Sequence, residues 1–192
     1  MNLTTFFNSQ FNEHTDVLNK TKLDLLHPFK DLVQASVESI SNGGKILFFG
    51  NGGSAADSQH LATELVIRYK KNRAPIAAIA LTTDSSAITA GSNDLGFDQI
   101  FARQVSALAK PGDIAIGIST SGNSENVIQG LLEAKSCGAI PAGLSGNKGG
   151  QMRTIANPHL IVPSSTTARI QEMHIILGHL LCDALEQKLN LL

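Results

Sequence analysis

The first information in this sequence is what it lacks. Cysteine is scarce: Cys137 and Cys182 are the only two and have no CxxC spacing, and the opening residues MNLTTFFNSQFNEH hold no basic flank followed by an apolar stretch. Both absences point to the cytoplasm. No apolar run approaches the ~20 residues a membrane-spanning helix needs, which excludes a transmembrane protein. An excess of one charge is missing too. Fifteen Lys and Arg against 16 Asp and Glu leave a formal net charge of -1, and the basic residues are scattered. Neither nucleic acid nor an anionic membrane surface is therefore an expected partner, and a small solute is. No repeat, low-complexity tract or linker is present.

What is there is a chain of 192 residues, 42% hydrophobic and 16% charged, enough for one domain with its own core. A single domain over 1–192 is expected, with a helical arm over 1–41 and a core over 43–188. From Thr4 to Ser41 apolar residues recur at helical spacing, with Leu25, Leu26, Phe29, Leu32, Val33, Val37 and Ile40 in a wide stripe. Pro28 interrupts the pattern and is expected to start a second helix, leaving Phe7, Phe11, Leu18 and Leu25 on an earlier one. Such an arm needs a partner. Strands are then expected in KILFFG, at Ile76 to Leu81, Asp113 to Ser119, Ala139 to Leu144 and His159 to Val162. Helices are expected from near Ser54, from Ser85, over Asp98 to Leu108, over Glu125 to Cys137 and over Thr167 to Lys188. This alternation predicts an α/β fold with a parallel sheet covered by helices on both faces, because each parallel crossover needs a helix. Ligands bind at the carboxyl ends of such strands, so the loops that follow strands matter most.

The loop Ser119-Thr120-Ser121-Gly122-Asn123-Ser124 follows a strand and precedes a helix, offering four hydroxyls and helix N-terminal N–H groups to an anion. It has no lysine and no GxxxxGKS/T pattern, which favours one phosphate on a small molecule over a nucleoside triphosphate. The bland alternative is a capped helix start with a polar turn. A second loop, Gly50-Asn51-Gly52-Gly53-Ser54, also joins strand to helix and allows close backbone approach to a ligand, or is a plain tight turn. His60 and Glu64 stand one helical turn apart, which sets an imidazole and a carboxylate side by side. On the apolar last helix Gln171, Glu172, His174, His179 and Asp183 form a polar cluster that needs a reason. Gln171 and His179 are eight residues apart, about 12 Å along the axis. They meet on one ligand only through extended side chains or from different subunits. His14 and His174 are read as structural.

Taken together, GNGGSAADSQHLATEL, TTDSSAITAGSND, GISTSGNSENVI, SGNKGG and ARIQEMHIILGHLLCD resemble the sugar isomerase (SIS) domain family and, within it, the phosphoheptose isomerases. The resemblance spans Gly43 to Glu186. It implies a three-layer sandwich on a five-stranded, flavodoxin-like parallel sheet, and a homotetramer whose active sites lie between subunits. It also implies an aldose-ketose isomerase acting through an enediol on sedoheptulose 7-phosphate, the first step toward the heptose of bacterial lipopolysaccharide core. By this resemblance Asn51, Gly52, Gly53, Asn93, Asp94, Ser119, Thr120, Ser121, Ser124 and Gln171 hold the substrate. His60, Glu64, Gln171 and His179 would bind one Zn2+ per subunit, with Glu64 as catalytic base and His179 as acid.

SGNKGG stands where relatives more usually carry TG, and PSSTTARIQE carries an alanine and hydroxyls where relatives vary. Arg68 and Arg169 fall near matched positions, with phosphate support or a subunit interface as the roles open to them. The rival reading is a non-catalytic relative of the same architecture that binds the replication initiator DnaA. Retention of Glu64 and His179 favours the enzyme, since loss of either leaves no acid/base pair.

Overall fold

The computed structural model describes residues 1–189. Its elements follow as α1 (Leu3–Asp24), α2 (Leu26–Ser41), β1 (Ile46–Gly50), α3 (Gly53–Val66), β2 (Ala78–Ala80), α4 (Ser85–Leu95), α5 (Ile100–Leu108), β3 (Ile114–Ser119), α6 (Glu125–Ser136), β4 (Ile140–Gly146), β5 (His159–Val162) and α7 (Thr167–Lys188). Short 3-10 turns occupy Phe97–Gln99 and Gln151–Thr154, the second in a stretch expected to be irregular.

The five strands form one parallel sheet in the order β2-β1-β3-β4-β5, the flavodoxin-like doubly wound arrangement. β1 and β3 are buried along their whole length because helices cover both faces. Alternate residues divide between the two layers. Ile46 and Phe48 pack with Leu61, Leu65, Leu177 and Leu181 of α3 and α7, whereas Leu47 and Phe49 pack with Phe101 and Val105 of α5 and Val127 and Leu131 of α6. At the amino ends of the strands the buried Asp113 carboxylate accepts from Lys45 N (2.9 Å), Lys45 Nζ (2.5 Å) and Lys110 N (2.7 Å), tying β1 to β3.

Two boundaries differ from expectation. The first helix ends at Asp24, four residues before Pro28, and Pro28 lies inside the first turn of α2. A proline ring clashes with the carbonyl four residues back, so the break falls there, while its missing N–H costs nothing in a first turn. β2 is three residues long because Ile76 is drawn to α3 instead, its N–H reaching Leu65 O at 3.1 Å. The arm is fastened to the start of α7: Arg169 Nη1 donates to Gln10 O (2.7 Å), Thr166 Oγ1 to Glu13 Oε1 (2.6 Å), and His14 Nδ1 lies 2.7 Å from Glu172 Oε2. Arg169 is thus occupied within the fold, and its guanidinium also holds Glu172 Oε1.

Two imidazoles flank Ser145 of β4: His174 of α7 is fully buried, and His159 of β5 is partly buried. His174 donates from Nε2 to Ser145 O (3.1 Å), and His159 Nε2 meets Ser145 Oγ at 2.7 Å. Burial lowers both pKa values to about 4, opposed at His174 by its bond to Ser145. In the unfolded chain each returns to ~6.5, so between those values unfolding takes up protons and stability rises with pH. The stability that these two histidines contribute is therefore full above about pH 6.5 and falls as pH drops toward 4. Urea midpoints should be lower at pH 5 than at pH 7.5, and replacing both histidines by Gln should flatten that difference.

Candidate active site

The loops after β1 and β3 lie side by side at the carboxyl edge, where the strand order reverses and ligands of doubly wound sheets bind. After β3, Ser124 occupies the N-cap of α6, yet its hydroxyl makes no capping bond. Its Oγ instead lies 2.8 Å from Ser119 Oγ, which is 3.4 Å from Ser121 Oγ. Three hydroxyls thus face one another over the start of a helix whose first N–H groups have no helical acceptor. Capping alone does not account for them. Asn123 Oδ1 accepts from Gln151 N (2.9 Å), so the SGNKGG loop that precedes Gln151 braces the cradle from the side of β4.

Asn51 and Asn126 close the crevice between the two loops. Each amide donates to the other's Oδ1 at 2.8 Å, and Asn126 is buried. Sequence reasoning missed Asn126, whose only signal is its place two residues after Ser124. Gly52 takes φ +56, the left-handed region where glycine alone is unstrained, and this turns the chain into α3.

From Gly53, α3 carries His60 and Glu64 at i and i+4 on one face. Alongside it α7 brings His179. Nε2 of His60 lies 3.2 Å from Glu64 Oε1 and 3.3 Å from His179 Nε2, and the three ligand atoms all fall within 4.8 Å of one another. The two helices run parallel, as paired contacts show: Gly53 meets Gln171 and Leu61 meets Gly178. Gly178 permits the approach, since a Cβ there would stand 2.5 Å from Leu61 Cδ2. A glycine beside His179 in an apolar helix was the one sequence signal of this contact.

The donor set can share a proton or a cation. Without a cation one imidazole must carry its proton on Nε2 and donate to the other. With one, tetrahedral ligands ~2.0–2.1 Å from a zinc ion stand about 3.3–3.4 Å apart, close to the two separations made by His60, and with all three atoms within 4.8 Å the residues fit a divalent metal. Half-buried Asp57 precedes the pair on α3; burial raises its pKa, and the charges of His60 and His179 pull it back. Cys182, behind the cluster, has its thiol pushed up to about 12 by burial and is inert.

The structure does not bring every expected residue together. Gln171 lies against Gly53 at the start of α3, about two helical turns from His179 along α7, and does not join the trio. Asn93 donates to Asp94 Oδ1 (2.7 Å) on α4, and among the described residues neither is hydrogen-bonded to the cradle or the trio.

The fold is a doubly wound α/β sheet with polar loops at its switch point, and the SIS domain family matches residues 10–146. Relatives extend the match through α7. A phosphoheptose isomerase of Paramagnetospirillum magneticum is 56% identical over 186 residues, covering 97% of each chain, and one of Aquifex aeolicus is 56% identical over 157 residues, covering 82% of each. The solved structure of a phosphoheptose isomerase from Francisella tularensis superimposes with a TM-score of 0.94 at 38% identity, over 97% of this chain and 100% of that one. This chain belongs to the phosphoheptose isomerases of the SIS domain family.

Replacing Gly178 by Val should push α7 off Leu61 and separate His179 from His60. The expected result is a loss of about 1–3 kcal/mol in stability from overpacking, together with weakened metal binding. Urea denaturation and a zinc competition titration measure the two.

Proposed function

We propose that this chain converts sedoheptulose 7-phosphate to D-glycero-D-manno-heptose 7-phosphate, the step that opens synthesis of the lipopolysaccharide heptose. One observation carries the reading: His60, Glu64 and His179 converge within 4.8 Å in a chain 56% identical to a phosphoheptose isomerase. The Ser119, Thr120, Ser121 and Ser124 hydroxyls and the α6 N-terminus take the phosphate. Gly53 to His60 spans about 10 Å of helix, the scale of an extended seven-carbon phosphate. Asn51, Gly52, Gly53 and Gln171 line the way and hold the sugar.

Moving the carbonyl from C2 to C1 requires a proton to leave C1 and another to reach O2, giving an enediol; C2 is then protonated as O1 loses its proton. Glu64 takes the C1 proton and returns it to C2. His179 donates to O2 and accepts from O1. A Zn2+ held by His60, Glu64 and His179 would polarise the carbonyl oxygen and stabilise negative charge there; ligation and proton transfer use the same lone pairs, so Glu64 and His179 serve one role at each step. Gln171 would complete such a set only by leaving Gly53, so its first role is to the sugar.

A homotetramer with active sites between subunits, working in the cytoplasm, completes the reading. Its support is the apolar surface on α1, α2 and α7, where Leu18, Leu26, Phe29 and Leu180 line a groove of about 340 Å³ and Phe7 and Phe11 are exposed. Asn93 and Asp94 would then serve a site completed by a neighbouring copy. The DnaA-binding alternative has no observation in its favour.

Purified protein stripped of metal should lose turnover of sedoheptulose 7-phosphate and regain it with zinc. Glu64→Gln should keep fold and oligomer but lower kcat by about 10²–10⁴, as expected for an acid/base group; near-normal turnover would sink the assignment. Ser119→Ala with Ser124→Ala should raise KM for the phosphorylated sugar far more than it weakens binding of the unphosphorylated one, and equal effects would dismiss the cradle.

A further inference from the structure

His179 has an orientation to keep and, among the described residues, a single hydrogen bond, at Nε2, to keep it. Ligating and catalytic imidazoles are usually aimed by an acceptor on the second ring nitrogen. Among the described residues no acceptor meets His179 Nδ1; only Nε2 is engaged, at 3.3 Å from His60. The torsion that turns the ring is broad, so rotation has to be limited by walls. Two are present. His60 stands edge-on at 5.0 Å and 69°, and Tyr69 stacks on the ring at a centroid distance of 5.4 Å and 26°.

Tyr69 lies beyond the end of α3, in the irregular connection that leads to β2. Left to itself such a segment would not hold a ring in place. One carboxylate fixes it. Glu186, seven residues after His179 on the same face of α7, accepts at Oε1 from Tyr69 N (2.9 Å) and at Oε2 from Lys70 N (3.0 Å) and Lys71 N (2.9 Å). Arg73 Nε donates to Oε1 at 3.1 Å, and side-chain exposure is 1% for Arg73 and 0% for Glu186. The same guanidinium reaches back to α3, from Nη2 to Glu64 O (2.9 Å) and from Nη1 to Leu65 O (2.7 Å). Lys70 adds an outer clasp to Asp183, one turn after His179.

We propose that Tyr69 is a positioning residue for His179, its ring acting as a wall that aims Nε2 at His60 and Glu64, with Glu186 and Arg73 as the anchor that holds it there. This rests on the isomerase reading of the trio. The anchor bonds the backbone on both sides of the site: the Glu64 carbonyl through Arg73, and the Tyr69 amide through Glu186. A purely structural ion pair would stabilise the α3–α7 contact and leave the aim of His179 unchanged.

The test compares Tyr69→Leu, Tyr69→Phe and Glu186→Gln with wild type in the full chain. For each, kcat and KM for sedoheptulose 7-phosphate, zinc affinity against a chromogenic chelator, and Tm are measured. Tyr69→Leu is expected to lower kcat and zinc affinity about 10–100-fold, the usual range for groups that orient metal ligands, with KM within about threefold. Tyr69→Phe keeps the flat ring and should restore both. Glu186→Gln should repeat the Leu pattern. The proposal is overturned by wild-type kcat and zinc affinity in Tyr69→Leu, by equal damage in Tyr69→Phe, or by a change confined to KM. Should Glu186→Gln fail to fold, the two Tyr69 variants decide. Wild-type protein that binds zinc without isomerising sugar sinks the isomerase reading alone, and the zinc comparison still judges Tyr69.

Discussion

The side-by-side approach of α3 and α7 is the contact on which the rest of this structure depends. Leu61 of α3 seats on Gly178 of α7, and the residues next to each, His60 and His179, are thereby brought nitrogen to nitrogen. Helices pack 8–10 Å apart depending on the side chains between them, and a glycine gives the near end of that range. The same two helices supply much of the core beneath the sheet through Leu61, Leu65, Leu177 and Leu181. Stability and chemistry thus share one interface: the apolar side faces the strands, and the polar edge carries the trio.

The second constraint is the switch point between β1 and β3. Their loops meet because the strands are neighbours running the same way, and the reciprocal Asn51–Asn126 pair holds them together. A serine at the N-cap of α6 that bonds Ser119 instead of its own helix leaves helix N–H groups and hydroxyls open to an anion. The Gly52–Gly53 turn and the His60–Glu64 pair mark the two ends of one stretch of α3, and the serine hydroxyls lie on the neighbouring loop after β3.

Much of this was legible beforehand. Short apolar strands alternating with helices gave the parallel sheet, because a strand buried on both faces has no polar side to show. The start of β5 and both ends of α7 fell where expected, since hydrophobic spacing is strong there. The break near Pro28 was misplaced, because the proline acts on the carbonyl four residues before it. Arg169 had two roles open to it, and its contacts with Gln10 and Glu172 tie the arm to α7.

Residue type and spacing by themselves determined the fold class, the hydroxyl-rich loop after β3, and the pairing of His60 with Glu64, because each is a local property of a strand, a turn or one helical face. They left open how Gln171 and His179 could meet on one ligand, through extended side chains or from different subunits, since eight residues of helix separate the two. Only the register of α7 on α3 decided it, placing Gln171 beside Gly53 and His179 beside His60. Nor could they reveal that Tyr69 stacks on His179, or that Glu186 and Arg73 hold the Tyr69 segment against α7. Glu186 is far in sequence from the turn it binds, and its partners there are mostly backbone N–H groups, which every residue but proline carries.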